Sequence, residues 1–189
     1  MRAFIGLTHL REGMSVLDLG GQPMIWNSVP ERLNLTIMNL PGVAVTQTPS
    51  HHSIRYVGGD ACEQLACEDR TFDAVFSNSV IEHVGPANRQ EAFAAQVRRV
   101  GKSYWVQTPA KWFPIEAHCG RPFWWLYPAW LRRRFIALWR QKLPEWTEMV
   151  EETTVLSRKQ MQRLFPEATM LTERSLGIPR SCIACFPRN

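Results

Sequence analysis

The chain has 189 residues, of which 45% are hydrophobic, and a formal net charge of +5. This length and composition suit a single domain with a full core and argue against disorder. We expect no transmembrane helix, because no run of about 18 uncharged apolar residues occurs. We also expect no signal peptide, because charge enters the N-terminal segment at once.

Short apolar runs rich in Val, Ile, Phe, Tyr and Trp predict strands. In chain order they are SVLDLG (15–20), LTIMNL (35–40), IRYVGGDA (54–61), FDAVFSNS (72–79) and SYWVQTP (103–109). Two further runs near the end, TMLTERSLG (169–177) and SCIACF (181–186), are separated by Pro179 and predict an antiparallel hairpin.

Two helical patterns lie among these strands. ANRQEAFAAQVRRV (87–100) carries a broad apolar side, and LSRKQMQRLF (156–165) has an N-cap candidate in Ser157. Alternating strands and helices predict an α/β fold with a mostly parallel sheet covered on both faces. We expect residues 1–189 to form one domain.

Small or polar residues stand at the ends of four consecutive predicted strands. They are Asp18, Gly20 and Gly21; Asn39 and Leu40; Gly58, Gly59, Asp60 and Ala61; and Ser77, Asn78 and Ser79, followed by Glu82 and His83. Ligands of such sheets bind beyond the carboxyl ends of the strands. The pattern therefore predicts a ligand site at this edge.

The runs VLDLGG, LTIMNL, VGGDACE, FDAVFSNSVIEHVG and RRVGKSYWVQTP occur in an order and spacing that resemble the class I S-adenosylmethionine-dependent methyltransferases. The likeness is to compact members with a methyltransferase-type-11-like core, and it covers residues 14–110. It implies a Rossmann-like, doubly wound sheet of about seven strands ending in an antiparallel hairpin. It also implies S-adenosylmethionine as cofactor and methyl transfer to an acceptor. The resemblance does not identify that acceptor, and we expect a small or lipid-like one.

The resemblance also assigns roles to individual residues. It implies that Asp18 holds the ammonium of the cofactor, directly or through water, although a capped tight turn would also explain this aspartate. The implied cofactor-binding residues are Asp18, Gly20, Gly21, Asn39, Leu40, Asp60, Ala61, Ser77 and Asn78. Asp60 would meet the adenine amine, or else serve as a helix N-cap.

Two positions depart from the family's usual pattern. Gln22 and Pro23 replace later small residues of the first loop, and Pro23 is suited to the first position of a short helix. Asn39 stands where the family has an acid that grips the ribose. Restoring that acid by Asn39→Asp or Asn39→Glu is therefore expected to raise cofactor affinity severalfold.

The candidate catalytic residues are His83, Glu82 and His118. His83 follows the fourth strand and is suited to accept a proton near pH 7. His83 could instead only wall the cofactor pocket, with Glu82 as a cap or ion-pair partner. His118 and Glu116 follow the fifth strand closely enough to reach an acceptor.

Cysteine usage predicts no metal and no disulfide. Five cysteines are an odd number at low density. Cys182 and Cys185 form a CxxC pair without a second pair or a nearby histidine, and His118–Cys119 has too few further ligands at hand. Reduced thiols and a cytoplasmic location are the expectation.

Residues 110–150 form a Trp/Arg-rich insertion before the closing strands. Residues 101–189 carry 14 basic and 7 acidic side chains and seven of the eight tryptophans. From Ala129 the pattern predicts an amphipathic helix with an apolar stripe of Trp130, Leu131, Phe135, Leu138 and Trp139. The helix is either a lid packed on the protein or an aromatic surface in segment 121–146 for a lipid-like acceptor, a membrane or a second subunit.

Other classes of function remain open on the sequence. A catalytically inactive methyltransferase fold acting as a binding module would explain the Gln-Pro and Asn departures. The basic second part allows an RNA methyltransferase, but no Asn-Pro-Pro-Tyr-type motif follows the fourth strand, and nucleic acid is not the expected partner. A nicotinamide oxidoreductase is disfavoured because the first loop lacks GxGxxG.

Overall fold

A computed structural model describes residues 1–46, 48–111, 113–114 and 120–187. Its centre is one seven-stranded sheet in the order β3-β2-β1-β4-β5-β7-β6. The strands are β1 Ser15–Leu19, β2 Asn34–Asn39, β3 Ser53–Gly58, β4 Ala74–Asn78, β5 Tyr104–Pro109, β6 Thr169–Ser175 and β7 Ile178–Phe186. The predicted strands are confirmed to within a few residues at their ends.

Strands β1 to β5 are parallel, and β7 pairs antiparallel with both β5 and β6. The chain reverses its direction of sheet growth between β3 and β4, which lie on opposite sides of β1. A crevice forms at such a switch point beyond the carboxyl ends of the strands. The predicted doubly wound, mostly parallel sheet with a C-terminal hairpin is confirmed.

Helices cover the two faces of the sheet unequally. The helices are α1 Arg2–Thr8, α2 Ala87–Val100, α3 Ala129–Lys142, α4 Pro144–Glu152 and α5 Arg158–Leu164. Side chains of α2 and α5 pack in one apolar cluster with Leu17 and Val75, whereas α1 and Trp26 pack in the other with Val16. Neighbouring strand residues thus point to opposite cores, as the two-residue period of a strand requires.

The expected alternation of strands and helices is wrong for the first three crossovers. A 3₁₀ helix, Pro23–Ser28, replaces an α-helix after β1, with Pro23 at its first turn as predicted. The described residues of 40–52 and 59–73 hold turns and irregular chain rather than α-helix. Pro30 interrupts helical hydrogen bonding between β1 and β2, and Pro41 and Pro49 do so between β2 and β3.

The hairpin prediction placed its turn incorrectly. Leu176 and Gly177 form the turn, with φ of 50° and 80°, whereas Pro179 lies inside β7 opposite Arg174. A register shift between Glu173 and Arg174 accompanies the proline, which cannot donate a ladder hydrogen bond. The turn needs left-handed residues, and glycine supplies one without strain.

The CxxC cysteines do not face each other. Cys182 packs in the cluster beneath α2 and α5, while Cys185 packs in the cluster on the opposite face of the sheet. Both are free thiols, and burial raises the pKa of Cys185 to about 11. Protonated, buried thiols of this kind are inert, so these two cysteines serve the core.

No helix among the described residues is long and apolar enough to cross a membrane. The insertion contains α3 and α4, and α3 begins at Ala129, where the pattern predicted it. The second predicted helix corresponds to α5, whose N-cap Ser157 forms a reciprocal capping box with Gln160. That exchange satisfies two backbone N–H groups that a helix start otherwise leaves open.

Candidate functional site

A cavity of about 270 Å³ opens at the carboxyl ends of β1 to β4, at the switch point of the sheet. Of the predicted cofactor residues, the ones that line it are Gly20, Asn39, Leu40, Asp60 and Ala61. His83 and Ser79, which also stand at the end of the fourth predicted strand, line it as well, together with Arg89, which was not predicted from the sequence. The fold thus brings four strand-end segments and the first turn of α2 to one crevice.

The turn after β1 needs glycine at both of its positions. Gly20 has a φ of 73°, and a Cβ on it would stand 2.5 Å from Val80 Cγ2. A Cβ on Gly21 would overlap the Asp18 carboxylate. The main chain therefore approaches the cavity at a place where no side chain fits.

Asp18 lies behind this turn and not on the cavity wall. It is fully buried, and its Oδ2 accepts a hydrogen bond of 2.7 Å from the indole Nε1 of Trp26. Oδ1 has no hydrogen-bond partner among the described residues. Burial raises the pKa of Asp18 to about 7, although the Trp26 hydrogen bond acts in the opposite direction. Its predicted role toward the cofactor ammonium stays a prediction.

Asn39 lines the cavity at the end of β2, but its amide is already used. Its Nδ2 donates to the Gly21 carbonyl at 3.0 Å, which holds the glycine turn against β2. An acid at this position has no N–H to donate and would place a carboxylate beside that carbonyl oxygen. Asn39→Asp is therefore expected to loosen the glycine turn, and the hydrogen bond argues against the gain in affinity that the sequence predicted.

Asp60 combines a local turn with an ion pair. Its Oδ1 accepts from the Cys62 N–H at 2.8 Å, and its Oδ2 pairs with Arg89 Nη2 at 2.5 Å. Burial would raise the pKa of Asp60, but Arg89 and the Cys62 N–H together hold it below its usual range. The carboxylate is thus charged and fixed at the cavity wall by Arg89, which lies in the first turn of α2.

The two residues that end β4 lie apart from the cavity wall. Ser77 is buried, and its hydroxyl donates to the Leu19 carbonyl at 3.4 Å. Asn78 is exposed at the last position of the strand. Ser79, which follows with a left-handed φ of 58°, lines the cavity instead. A backbone conformation of this kind gives no signal in the sequence.

His83 stands between two cavities. It lines the strand-end cavity and also a second one of about 310 Å³, whose other lining residues are Glu145, Glu148, Met149 and Glu152 of α4. Its Nδ1 lies 3.2 Å from the hydroxyl of Thr153, a buried residue at the C-terminal end of α4. Thr153 was not predicted from the sequence, because 70 residues separate it from His83 in the chain.

The Thr153 contact favours one of the two tautomers of His83. The Thr153 hydroxyl has one hydrogen, which it donates to the Met149 carbonyl at 2.7 Å. With its hydrogen on that carbonyl it accepts toward His83, which favours the tautomer protonated at Nδ1. In the neutral ring the lone pair is then on Nε2, the nitrogen that points away from Thr153.

We predict that Thr153→Val disturbs this proton arrangement and that Thr153→Ser retains it. The wild type and the serine variant are expected to show His83 with a protonated Nδ1 in long-range ¹H–¹⁵N NMR spectra above the histidine titration. The valine variant is expected to shift toward a protonated Nε2, because the acceptor for Nδ1–H is lost. An unchanged tautomer in the valine variant would show that Thr153 does not orient the ring.

Glu82 is a buried structural neighbour of His83. It has no exposed surface, its Oε2 accepts from the Thr108 hydroxyl at 3.0 Å, and its backbone carbonyl accepts from the Thr154 N–H at 2.7 Å. These bonds tie the end of α4 to the segment after β4 and so place Thr153 against His83. The third predicted catalytic residue, His118, lies outside the described residues, as does Glu116.

Among the described residues, no group of three or more His, Cys, Asp or Glu side chains has a geometry that could hold a metal ion. The charged side chains at the cavity are Asp60 and Arg89, which pair with each other. The crevice therefore offers a polar edge with little net charge and an apolar wall.

The strand order and the pairing of the sheet match the Rossmann-like fold of class I methyltransferases. Residues 37–104 match the sequence model of a family described as "Methyltransferase domain". No curated protein matches the chain in sequence. This match covers 68 of the 189 residues, and together with the fold it makes the chain similar to the S-adenosylmethionine-dependent methyltransferases, whose cofactor is S-adenosylmethionine.

Solved structures with this fold share little sequence with the chain. An S-adenosylmethionine-dependent methyltransferase from Aquifex aeolicus is 14% identical, with a TM-score of 0.54 over 97% of this chain and 87% of its own. Phosphoethanolamine N-methyltransferase 2 of Haemonchus contortus, solved with S-adenosylmethionine, is 13% identical, with a TM-score of 0.57 over 91% of this chain and 37% of its own. A protein from Anabaena variabilis, described for an antibiotic biosynthesis pathway, is 17% identical, with a TM-score of 0.54 over 92% of this chain. The chain spans 65% of that protein's length.

The residues present fit the cofactor of this class. The glycine turn leaves a cradle that a Cβ would fill, and a buried carboxylate oxygen without a described partner lies directly behind it. Asp60, at the other end of the crevice, presents a fixed carboxylate beside the Cβ-free backbone of Gly59. The amino-acid end of the cofactor would thus lie near Gly20 and the adenine end near Asp60.

Proposed function

We propose that this protein transfers a methyl group from S-adenosylmethionine to a small or lipid-like acceptor that enters beside His83. The observation that carries the proposal is the position of His83, which lines both the strand-end cavity and the second cavity against α4. A side chain shared by donor and acceptor spaces stands where the methyl group must pass.

The described residues divide into two roles. Gly20, Gly21 and Asp60 would hold the cofactor at its two ends, and Asn39 would keep the glycine turn in place. S-adenosylmethionine supplies the electrophilic methyl group when bound. Holding donor and acceptor in line supplies much of the rate of such a displacement, on the order of 7–11 kcal/mol at best.

His83 would serve as the proton acceptor for the attacking group. In the tautomer that the Thr153 contact favours, Nδ1 carries the proton and Nε2 carries the lone pair. A general base of this kind contributes about 10²–10⁴-fold where the acceptor must lose a proton. Glu82 supports this arrangement from within the core, through Thr108 and Thr154.

The proposal predicts saturable binding of S-adenosylmethionine and S-adenosylhomocysteine in calorimetry. Asp60→Ala is expected to weaken that binding by roughly 1–3 kcal/mol, because a buried polar group of the ligand loses its partner. Glu63→Ala is the matched control, since it removes an exposed carboxylate three residues further on. Equal affinities for the two variants would contradict the placement of the adenine end.

Absence of binding by the wild type would reject the enzyme and leave a methyltransferase fold that acts as a binding module. Two contacts favour testing that alternative directly: Asn39 and Asp60 both make bonds within the protein that the ligand would otherwise make. Binding of both cofactor forms, followed by methyl transfer to acceptors presented in a mixed extract, would exclude it.

A further inference from the structure

The inner apolar face of the Trp/Arg-rich insertion is covered by aromatic contacts within the chain. Trp124 is buried and stacks on Trp139 of α3 with ring centroids 5.3 Å apart. Phe135 lies 5.6 Å from Trp139, and Trp146 of α4 meets the same ring edge-on at 5.0 Å. This face of α3 therefore needs no partner outside the chain.

The predicted apolar stripe of α3 is divided between two sides of the helix. Leu131, Phe135 and Trp139 are partly buried toward the aromatic cluster, as one stripe of i, i+4 and i+8 requires. Trp130 and Leu138 are instead exposed, by 66% and 53%. The prediction that all five residues share one buried stripe is therefore wrong, and α3 exposes two large apolar side chains to water.

These exposed side chains belong to a wider surface of the same kind. Phe123 and Leu126, in the turn that leads into α3, are exposed as well, and so is Leu143 at its end. Large apolar side chains exposed at this density mark a binding surface more often than chance exposure does. We call the exposed residues of segment 121–143 the α3 outer surface.

The charge of this segment is entirely positive. Residues 121–144 contain six basic residues and no acidic one. Arg133 and Arg134 are exposed on α3, whereas Arg121 lies over the Phe135 ring and Arg140 pairs with Glu151 of α4. The two free arginines therefore stand beside Trp130, with no described carboxylate to neutralise them.

We propose that the α3 outer surface binds the headgroup region of an anionic membrane. Tryptophan and leucine at a lipid interface bury their rings and methyl groups at the acyl boundary, while arginines contact anionic headgroups. The helix α3 would lie in the plane of the membrane.

The same surface suits a membrane better than RNA or a second subunit. Aromatic rings and arginines would stack on bases, but Leu126, Leu138 and Leu143 have no role there. A two-fold contact between copies would place the uncompensated arginines of both surfaces close together. An anionic membrane complements the charge and the apolar side chains together.

Flotation with lipid vesicles tests the proposal without cofactor or acceptor. The wild type is expected to float with vesicles of phosphatidylcholine and phosphatidylserine at about 0.1 M salt, and to stay in the aqueous fraction with phosphatidylcholine alone. Raising the salt to about 1 M should release it, because the Debye length falls from about 10 Å to about 3 Å. Arg133→Glu with Arg134→Glu should weaken binding by roughly 30-fold or more.

Lys159→Glu with Arg163→Glu is the matched control, because it makes the same change of charge on the exposed side of α5. The control should float like the wild type, and Trp130→Gln should bind severalfold more weakly with its charge unchanged. Circular dichroism and hydrogen exchange of residues 123–143 confirm the fold and locate the contact. A wild type that stays in the aqueous fraction, a double variant that floats unchanged, or a dimer that the same double change dissociates would each overturn the proposal.

Discussion

Asp18→Asn is expected to raise the free energy of unfolding by roughly 4 kcal/mol at about pH 8. The pKa of Asp18 rises from 3.8 to about 7 because burial penalises the carboxylate. Above that pH the native protein carries a charge in its core that the unfolded chain carries in water. An amide of the same shape accepts the Trp26 hydrogen bond without that charge.

The pH dependence has a definite sign. Between pH 3.8 and about 7 the native state keeps a proton that the unfolded state has lost, so stability falls as the pH rises. Asp60, Asp73 and Glu167 have lowered pKa values, so their contributions are lost only as the solution becomes acidic enough to protonate them. Wild-type stability should therefore be greatest on the acidic side of neutrality, below the pKa of Asp18 and above the lowered pKa values of these three carboxyls.

Urea unfolding of wild type and Asp18→Asn at a series of pH values measures this effect. The difference between the two curves should grow from near zero at about pH 4 to a plateau above about pH 7. If Asp18 also faces the cofactor ammonium, the same variant should bind S-adenosylhomocysteine more weakly although it is more stable. A constant difference across the pH range would mean that Asp18 is ionised throughout.

The sheet could be predicted from sequence because its signals are local. Each central strand is an apolar run such as Leu17–Leu19 closed by glycine or a polar residue, and the order of strands follows from the fold class that those runs resemble. The absence of α-helices from the first three crossovers was not predicted. Prolines such as Pro30 and Pro41 interrupt helices, but they do not create a sequence pattern that indicates irregular chain. The prediction of a single apolar stripe on α3 was wrong for a different reason. Trp130 and Leu131 are neighbours in sequence, and only tertiary contacts decide which one faces the cluster.

The candidate site was predicted as positions but not as contacts. Gly20, Asn39 and Asp60 reach the crevice because parallel strands end at the same edge. Their partners come from distant elements: Arg89 lies 29 residues from Asp60, and Thr153 lies 70 residues from His83. Such pairings depend on how helices pack on the sheet, and no spacing rule within one sequence predicts them.

Gly21→Ala is expected to destabilise the protein by about 3 kcal/mol or more and to abolish cofactor binding. The new Cβ would overlap the Asp18 carboxylate, which the Trp26 indole and the surrounding core hold in place. Relief requires the glycine turn to move toward the cavity. That movement would break the Asn39 hydrogen bond to the Gly21 carbonyl and close the cradle at Gly20.

Gly6→Ala provides the matched control, because nothing lies within 4 Å of a Cβ at that position of α1. It should stabilise the protein by about 0.5–1 kcal/mol, the usual gain of alanine over glycine in a helix. Adding Asp18→Ala to Gly21→Ala removes the atoms that clash, so the double variant should recover much of the lost stability. Because the two residues are in contact, their effects should be strongly non-additive in a double-mutant cycle of urea unfolding. Additive effects would place the Asp18 carboxylate away from the turn, and the cofactor cradle would then need another explanation.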